Sequence, residues 1–163
     1  MADIDDIELR SIGLADRDVY LSWLQDPALV SWHFSIDDIE GEFRRVCRSM
    51  HNYIIECDGR PVGQVAVDAH WEEGNDAELG VMVIPSRQGR GIAREATTRV
   101  IDIVFREENI AEIWAGVLLV NQRALSFCRA LGFTEHGSDD DVGEPNVLYH
   151  LTREDWREMI SKN

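Results

Sequence analysis

The 163-residue sequence has a single lysine, Lys162, against 31 acidic residues, and its formal net charge is −15. Such a surface repels polyanions, which argues against nucleic acid as a partner. It attracts protonated amines, although an acidic, lysine-poor composition is also what salt adaptation or a GC-rich source produces. Cysteine is scarce. Cys47, Cys57 and Cys128 are odd in number and lack CxxC spacing, which argues against a disulfide framework and a tetrahedral zinc site. No apolar run approaches the roughly eighteen residues of a membrane span, and the acidic start, residues 1–6, lacks the basic-then-apolar order of a signal peptide. Neither GxGxxG nor a Gly-Lys-Ser/Thr loop occurs. The expectation is a cytoplasmic protein without a metal or a membrane partner, monomer or homodimer, forming one domain over residues 1–163.

Hydrophobic periodicity orders the elements that are present. Alternation over residues 7–12 predicts a strand. Asp16 is placed to cap a helix bearing Val19, Tyr20, Trp23 and Leu24 that ends near Asp26-Pro27. A second helix is expected over 35–50, with Ile36, Ile39, Phe43, Val46, Cys47 and Met50 as its buried stripe. Strands at 53–57 and 62–67 flank a turn at 58–61, and after a polar loop at 68–76 a strand at 77–84 is halted by Pro85. Then follow a helix over 92–105 (Ile92, Ala96, Val100, Ile103 and Val104 inward) and a strand at 112–117. A helix over 121–131 stops at Gly132, and strands from 133 and at 147–151 enclose the acidic loop 139–144. A capped helix from Thr152 ends the chain. This order predicts a mixed α/β sandwich.

The strand at 77–84 runs into Pro85-Ser86-Arg87-Gln88-Gly89-Arg90-Gly91-Ile92-Ala93 and then a helix. Gly89 and Gly91 let backbone amides approach a ligand closely. The helix start adds unpaired N–H groups and about half a positive charge. Arg87, Arg90 and Arg94 gather three cations there inside an acidic chain, which makes a site suited to a pyrophosphate. A plain glycine-rich turn is the alternative for this segment taken alone.

Val83-x-Pro85-x-x-Gln88-x-x-Gly91-x-Ala93 resembles motif A of the GNAT N-acetyltransferase superfamily, and Asn121-x-x-Ala124-x-x-Phe127-x-x-x-Leu131-Gly132-Phe133 resembles its motif B, about thirty residues on. The resemblance implies an α/β (α+β) fold whose central sheet, mixed and mostly antiparallel, is splayed between the fourth and fifth strands and flanked by helices. It implies acetyl-CoA as cosubstrate, its pyrophosphate on residues 87–94. The pantetheine arm would bond backbone groups at Met82 and Val83 with Val81 close by, and Asn121 would contact the arm from the other side. One amide of the strand would act as an oxyanion donor. The implied reaction is direct attack of a neutral amine on the thioester in a ternary complex. The acceptor would be a small-molecule primary amine such as an amino sugar, polyamine or aminoglycoside, as in the branch that the N-terminal and C-terminal segments resemble. The alternatives are a non-catalytic acyl-CoA-binding module and an enzyme acting on protein N-termini.

The amine must lose a proton and the thiolate must gain one. Glu78 is the candidate base, at a strand position where some relatives place a glutamate; the alternative is a solvated carboxylate. Asp68, His70 and His150 are further options. Many relatives carry a tyrosine on the motif B helix as the acid, and Cys128 stands at that position here. Either its thiol donates the proton, or it is a buried inert cysteine and water does so. Trp32, His33 and Trp71 are possible acceptor-pocket residues, and Asp139, Asp140 and Asp141 a possible cation-guiding lip.

Overall fold

The computed structural model describes residues 6–30, 36–69 and 75–162. Its strands are β1 (Ile7–Ser11), β2 (Asn52–Cys57), β3 (Arg60–Ala69), β4 (Asp76–Val83), β5 (Glu112–Leu118), β6 (Thr134–Glu135) and β7 (Asn146–Thr152). The helices are α1 (Arg17–Leu24), α2 (Pro27–Val30), α3 (Ile39–Arg48), α4 (Ile92–Glu107), α5 (Gln122–Ala130) and α6 (Arg153–Ser161). One seven-stranded sheet runs β1-β2-β3-β4-β5-β7-β6. Every pair is antiparallel except β4–β5. The mixed, mostly antiparallel α/β fold expected from the sequence is the one observed.

Alternation along the strands separates two cores. Ala77, Leu79 and Val83 of β4, Ile113, Ala115 and Val117 of β5, and Tyr149 and Leu151 of β7 pack with α4, α5 and Trp156 of α6. On the other face Tyr20, Trp23, Leu29, Phe43, Val46 and Ile54 form a smaller cluster of α1–α3 over the β1–β4 half, with Met82 and Ile84 against it.

Several local expectations change. The second helix begins at Ile39, where Asp38 accepts from the Gly41 N–H, and ends at Arg48. Met50 therefore lies beyond the helix and is 75% exposed, and Ile36, ahead of it, is 40% exposed. The hairpin turn is Asp58-Gly59 alone, both with positive φ (54° and 74°), as a tight two-residue connection requires. Arg60 and Pro61 are thus strand residues. A register shift at Ile55/Glu56 absorbs the extra residue, and Pro61, which lacks an N–H, sits at that bulge. The α4 stripe includes Thr97, Ile101 and Phe105, while Ile103 is only half-buried. Asp16 does not cap α1 with its side chain. Its carboxylate accepts from the Gly13 N–H and from both terminal nitrogens of Arg10, each at 2.9 Å.

The sheet opens at its centre. β4 and β5 pair only from Asp76↔Glu112 to Glu78↔Trp114, whereas β4 stays on β3 through Val83↔Gly63 and β5 stays on β7 through Leu118↔Asn146. The root of this opening is pinned by Arg153. Its guanidinium donates to the carbonyls of Phe105, Glu108 (2.7 Å) and Ile110, and it lies 5.4 Å from the Phe105 ring centroid. One side chain thus satisfies the end of α4 and the entry to β5.

Two outcomes are expected. Arg153→Met leaves three carbonyls without their donor and lowers unfolding free energy by about 2–3 kcal/mol, measured by urea titration. The Arg10 partner holds Asp16 below the ordinary carboxylate range. A depressed carboxylate contributes stability above its unfolded pKa and loses it as pH falls through the folded one. Wild type therefore loses stability relative to Asp16→Asn on acidification below about pH 4, read from melting temperatures of the two proteins across pH 2–7.

Candidate active site

Backbone alternation shows which groups face the opening. The Ile84 N–H goes to Val62 of β3 at 2.8 Å, so the backbone groups of Met82 and Gly80 face β3, and those of Val81 and Val83 face β5. On the far edge the Leu119 N–H goes to Pro145 beside β7, so Gly116 and Leu118 face β4. Above Glu78 these edges have no strand partner. Polar backbone in mid-sheet is normally paired, so this slot is built to receive a ligand with donors and acceptors along its length. Met82 departs from expectation: its backbone is turned to β3, and its side chain packs on the α1–α3 core.

At the slot's mouth β4 passes through a turn at Pro85–Arg87 into the loop. Gly89 (φ 76°) and Gly91 (φ 81°) both take left-handed conformations that favour glycine. A side chain at Gly89 would enter open space. Gly91 precedes α4 and offers no side-chain cap, whereas Asp38, Asn121 and Thr152 cap α3, α5 and α6. The Glu95 N–H takes the Gly91 carbonyl at 3.0 Å, which leaves the N–H groups of Ile92, Ala93 and Arg94 aimed outward without helical partners. Ile92 is buried and fixes the start of the helix. Arg90 and Arg94 are exposed beside it. Arg87 turns away, its Nη1 3.9 Å from Cys57 Sγ. Gln88 reaches back, its Nε2 donating to the Val83 carbonyl at 2.8 Å. The whole forms an anion cradle continuous with the slot.

Across the mouth, the Asn121 Oδ1 accepts from the Ala124 N–H at 3.1 Å and starts α5. Cys128, two turns on, points into the α4-side core, 3% exposed. Burial pushes its thiol up to about 12. A thiol that weak gives its proton to a thiolate of ordinary pKa, about 8.5, only uphill by several kcal/mol.

On the opposite face, register places Asp68, Glu78, Trp114 and His150 in one row across β3, β4, β5 and β7. Glu78 is exposed at the root of the slot. Asp68 is engaged by Arg45 (2.9 Å) and the Ser49 hydroxyl. Trp114 stacks on His150 with centroids 5.2 Å apart and meets His136 edge-on at 5.0 Å. Among the described residues, helices α1–α3 cover only the β1–β4 half of this face and do not extend over the rings. Trp114 and His136 were missed by sequence reasoning; the polar-face position of a tryptophan between Ile113 and Ala115 was the available signal. Asp139–Asp141 lie in a loop pinned by Asn146, which bonds to Asp139 and Glu144. Trp32, His33, His70 and Trp71 lie outside the described residues. A cavity of about 320 Å³ between Arg45, His51 and Glu108 opens at the far end of β4 from the loop and shares Asp68 with this row.

Known proteins resemble the chain in sequence and in fold. Over 90 residues the chain is 29% identical to spermidine N(1)-acetyltransferase of Escherichia coli, covering 55% of this chain and 48% of that protein. It is 31% identical over 136 residues to N-acetylaspartate synthetase of Rattus norvegicus, covering 83% of this chain and 43% of that one. The chain thus spans less than half the length of each of these relatives. The spermidine N-acetyltransferase of Vibrio cholerae, solved with CoA and spermine, superposes with a TM-score of 0.77 at 18% identity, over 94% of this chain and 99% of that one, a likeness of fold. The acetyltransferase (GNAT) domain model matches residues 6–134, the stretch that holds the cradle and both edges of the slot, and the chain belongs to the GNAT acetyltransferase family.

Proposed function

We propose that this protein transfers an acetyl group from acetyl-CoA to a primary amine of a small cationic molecule, of the polyamine or amino-sugar kind. The observation that carries this is the slot between β4 and β5, with an uncapped helix start and a glycine loop at one end and a carboxylate at the other. An extended arm of about a dozen bonds spans about 14 Å, and Val83 to Glu78 along a strand is about 17 Å. A cofactor whose diphosphate lies on the loop, beyond Val83, therefore brings its thioester into the stretch between Val81 and Glu78. The N–H of Val81, turned into the slot, is the group positioned to bond the carbonyl oxygen as charge develops there.

The acceptor enters over the open face, because α4, α5 and α6 close the other. Glu78 takes the ammonium proton, directly or through water, and the amine attacks the thioester carbon. The nitrogen's second proton passes to water, the C–S bond breaks, and the leaving thiolate takes its proton from water rather than from the buried Cys128. Trp114 and the imidazoles flank the acceptor, a ring face suited to an alkylammonium. The net charge of −15 and the names of the spermidine relatives support a cationic amine over an anionic amino acid.

The test is release of free thiol from acetyl-CoA with a panel of spermidine, spermine, glucosamine, an aminoglycoside, aspartate and an alanyl peptide. A polyamine or amino sugar is expected to accelerate it most. Acetyl-CoA binding without acceleration by any amine points to an acyl-CoA-binding module instead. Glu78→Gln lowers kcat by about a hundredfold or more with CoA affinity retained. Trp114→Ala raises the amine KM severalfold and leaves the acetyl-CoA KM in place. Cys128→Ala changes kcat less than about threefold; a hundredfold loss instead makes the thiol the acid.

A further inference from the structure

An arginine outside the loop closes the cradle from the other side. Arg123, in the first turn of α5, donates from Nη1 to Gln88 Oε1 at 2.5 Å, and Gln88 Nε2 donates to the Val83 carbonyl. Two side chains therefore bridge the mouth of the slot from α5 to β4. Many of the chain's other arginines sit on carboxylates: Arg10 on Asp16, Arg17 on Glu40, Arg45 on Asp68, Arg99 on Glu95 and Arg106 on Asp102. Arg123 has a neutral amide oxygen as its partner and no carboxylate among the described residues.

A guanidinium prefers a phosphate, which accepts two charge-assisted bonds in parallel, to an amide oxygen. Gln88 opens the loop whose N–H groups form the anion cradle, so Arg123 already touches the wall of that site. We propose that Arg123 is a ligand of the cofactor's diphosphate, closing over it from the α5 side, with Gln88 as the group that holds it in place while the site is empty. On binding, Arg123 exchanges the Gln88 oxygen for phosphate oxygens. Gln88, released at one end, can then yield the Val83 carbonyl, an edge group of the slot, to a donor on the incoming arm. The cradle would so be built from both motifs: backbone amides and arginines from the β4–α4 side, a guanidinium from the α5 side. This rests on the reading of the loop as a coenzyme A site.

The experiment measures Kd by calorimetry for CoA, for dephospho-CoA, which lacks only the 3′-phosphate, and for pantetheine by competition as a phosphate-free probe. Wild type, Arg123→Ala, Arg123→Lys and Gly91→Asp are compared, each checked for an unchanged melting temperature. Arg123→Ala is expected to weaken CoA and dephospho-CoA alike, by about tenfold, with pantetheine unaffected and Arg123→Lys recovering part of the loss. Unchanged affinity, a loss confined to CoA, or an equal loss for pantetheine each overturns the assignment of Arg123 to the diphosphate. If Gly91→Asp abolishes CoA binding while Arg123→Ala is neutral, only the arginine's role fails. If wild type does not bind CoA, or Gly91→Asp binds it as wild type does, the coenzyme A reading itself fails.

Discussion

The divergence of β4 from β5 is the constraint on which the rest of the molecule depends. Each strand has a full-length antiparallel partner on its outer side, β3 for one and β7 for the other. Each half-sheet can therefore follow its own twist, and the parallel contact survives only at Asp76–Glu78. The consequence is a row of unpaired backbone groups in mid-sheet, which a folded protein tolerates only where water or a ligand bonds them. Arg153 secures the paired end, because the carbonyls it gathers belong to the end of α4 and the approach to β5. The α4 crossover fixes where the opening ends, since the helix that must follow β4 delivers its amide-rich start to the slot's mouth.

Charge is distributed to match. A chain with 31 acidic residues presents an adverse field to any polyphosphate. Arg90, Arg94 and Arg123 are concentrated within two turns of helix on either side of the mouth, and helical N–H groups lie between them. That local reversal is short in range, because exposed charges are screened within about 8 Å at physiological salt. It therefore acts on a ligand already at the loop, while the wider acidic surface acts on whatever approaches the open face.

Much of this was legible in the sequence. The β4-loop-α4 passage, its two glycines and the stop at Gly132 were read from residue types whose backbone behaviour is local. The splay followed only from a family resemblance, since no local pattern in residues 112–118 distinguishes a strand paired on one side from one paired on both. Strand pairing also hid the ring row: Trp114, His150 and His136 are distant in sequence and meet because the β5–β7 register puts Trp114 opposite His150. Arg123 lies inside motif B, but an exposed arginine in a first helical turn reads as surface until its Gln88 contact is seen. The short start and end of α3 were misjudged for another reason. Apolar Ile36 and Met50 continue the helical period, but Asp38 caps the start by accepting from the Gly41 N–H, and Ser49 turns extended (ψ 137°) at the end.

The cysteine at position 128 is less of a departure than residue type suggests. In attack by an amine on a thioester, the tetrahedral intermediate can expel either group, and the weaker base leaves. A thiolate of pKa about 8.5 is a far better leaving group than an alkylamide nitrogen, and it persists in water near neutrality without assistance. Proton donation to sulfur therefore matters less than removal of the ammonium proton, since an alkylammonium with a pKa near 10 is overwhelmingly the unreactive form at neutral pH. The two faces of the sheet reflect that asymmetry. The α4 side, where Cys128 lies, is closed by core packing. The open side carries Glu78 at the slot's root with water access. For the proposed attack of an amine on a thioester, a carboxylate on the wet face can take the ammonium proton, and a thiol buried on the dry face is not needed.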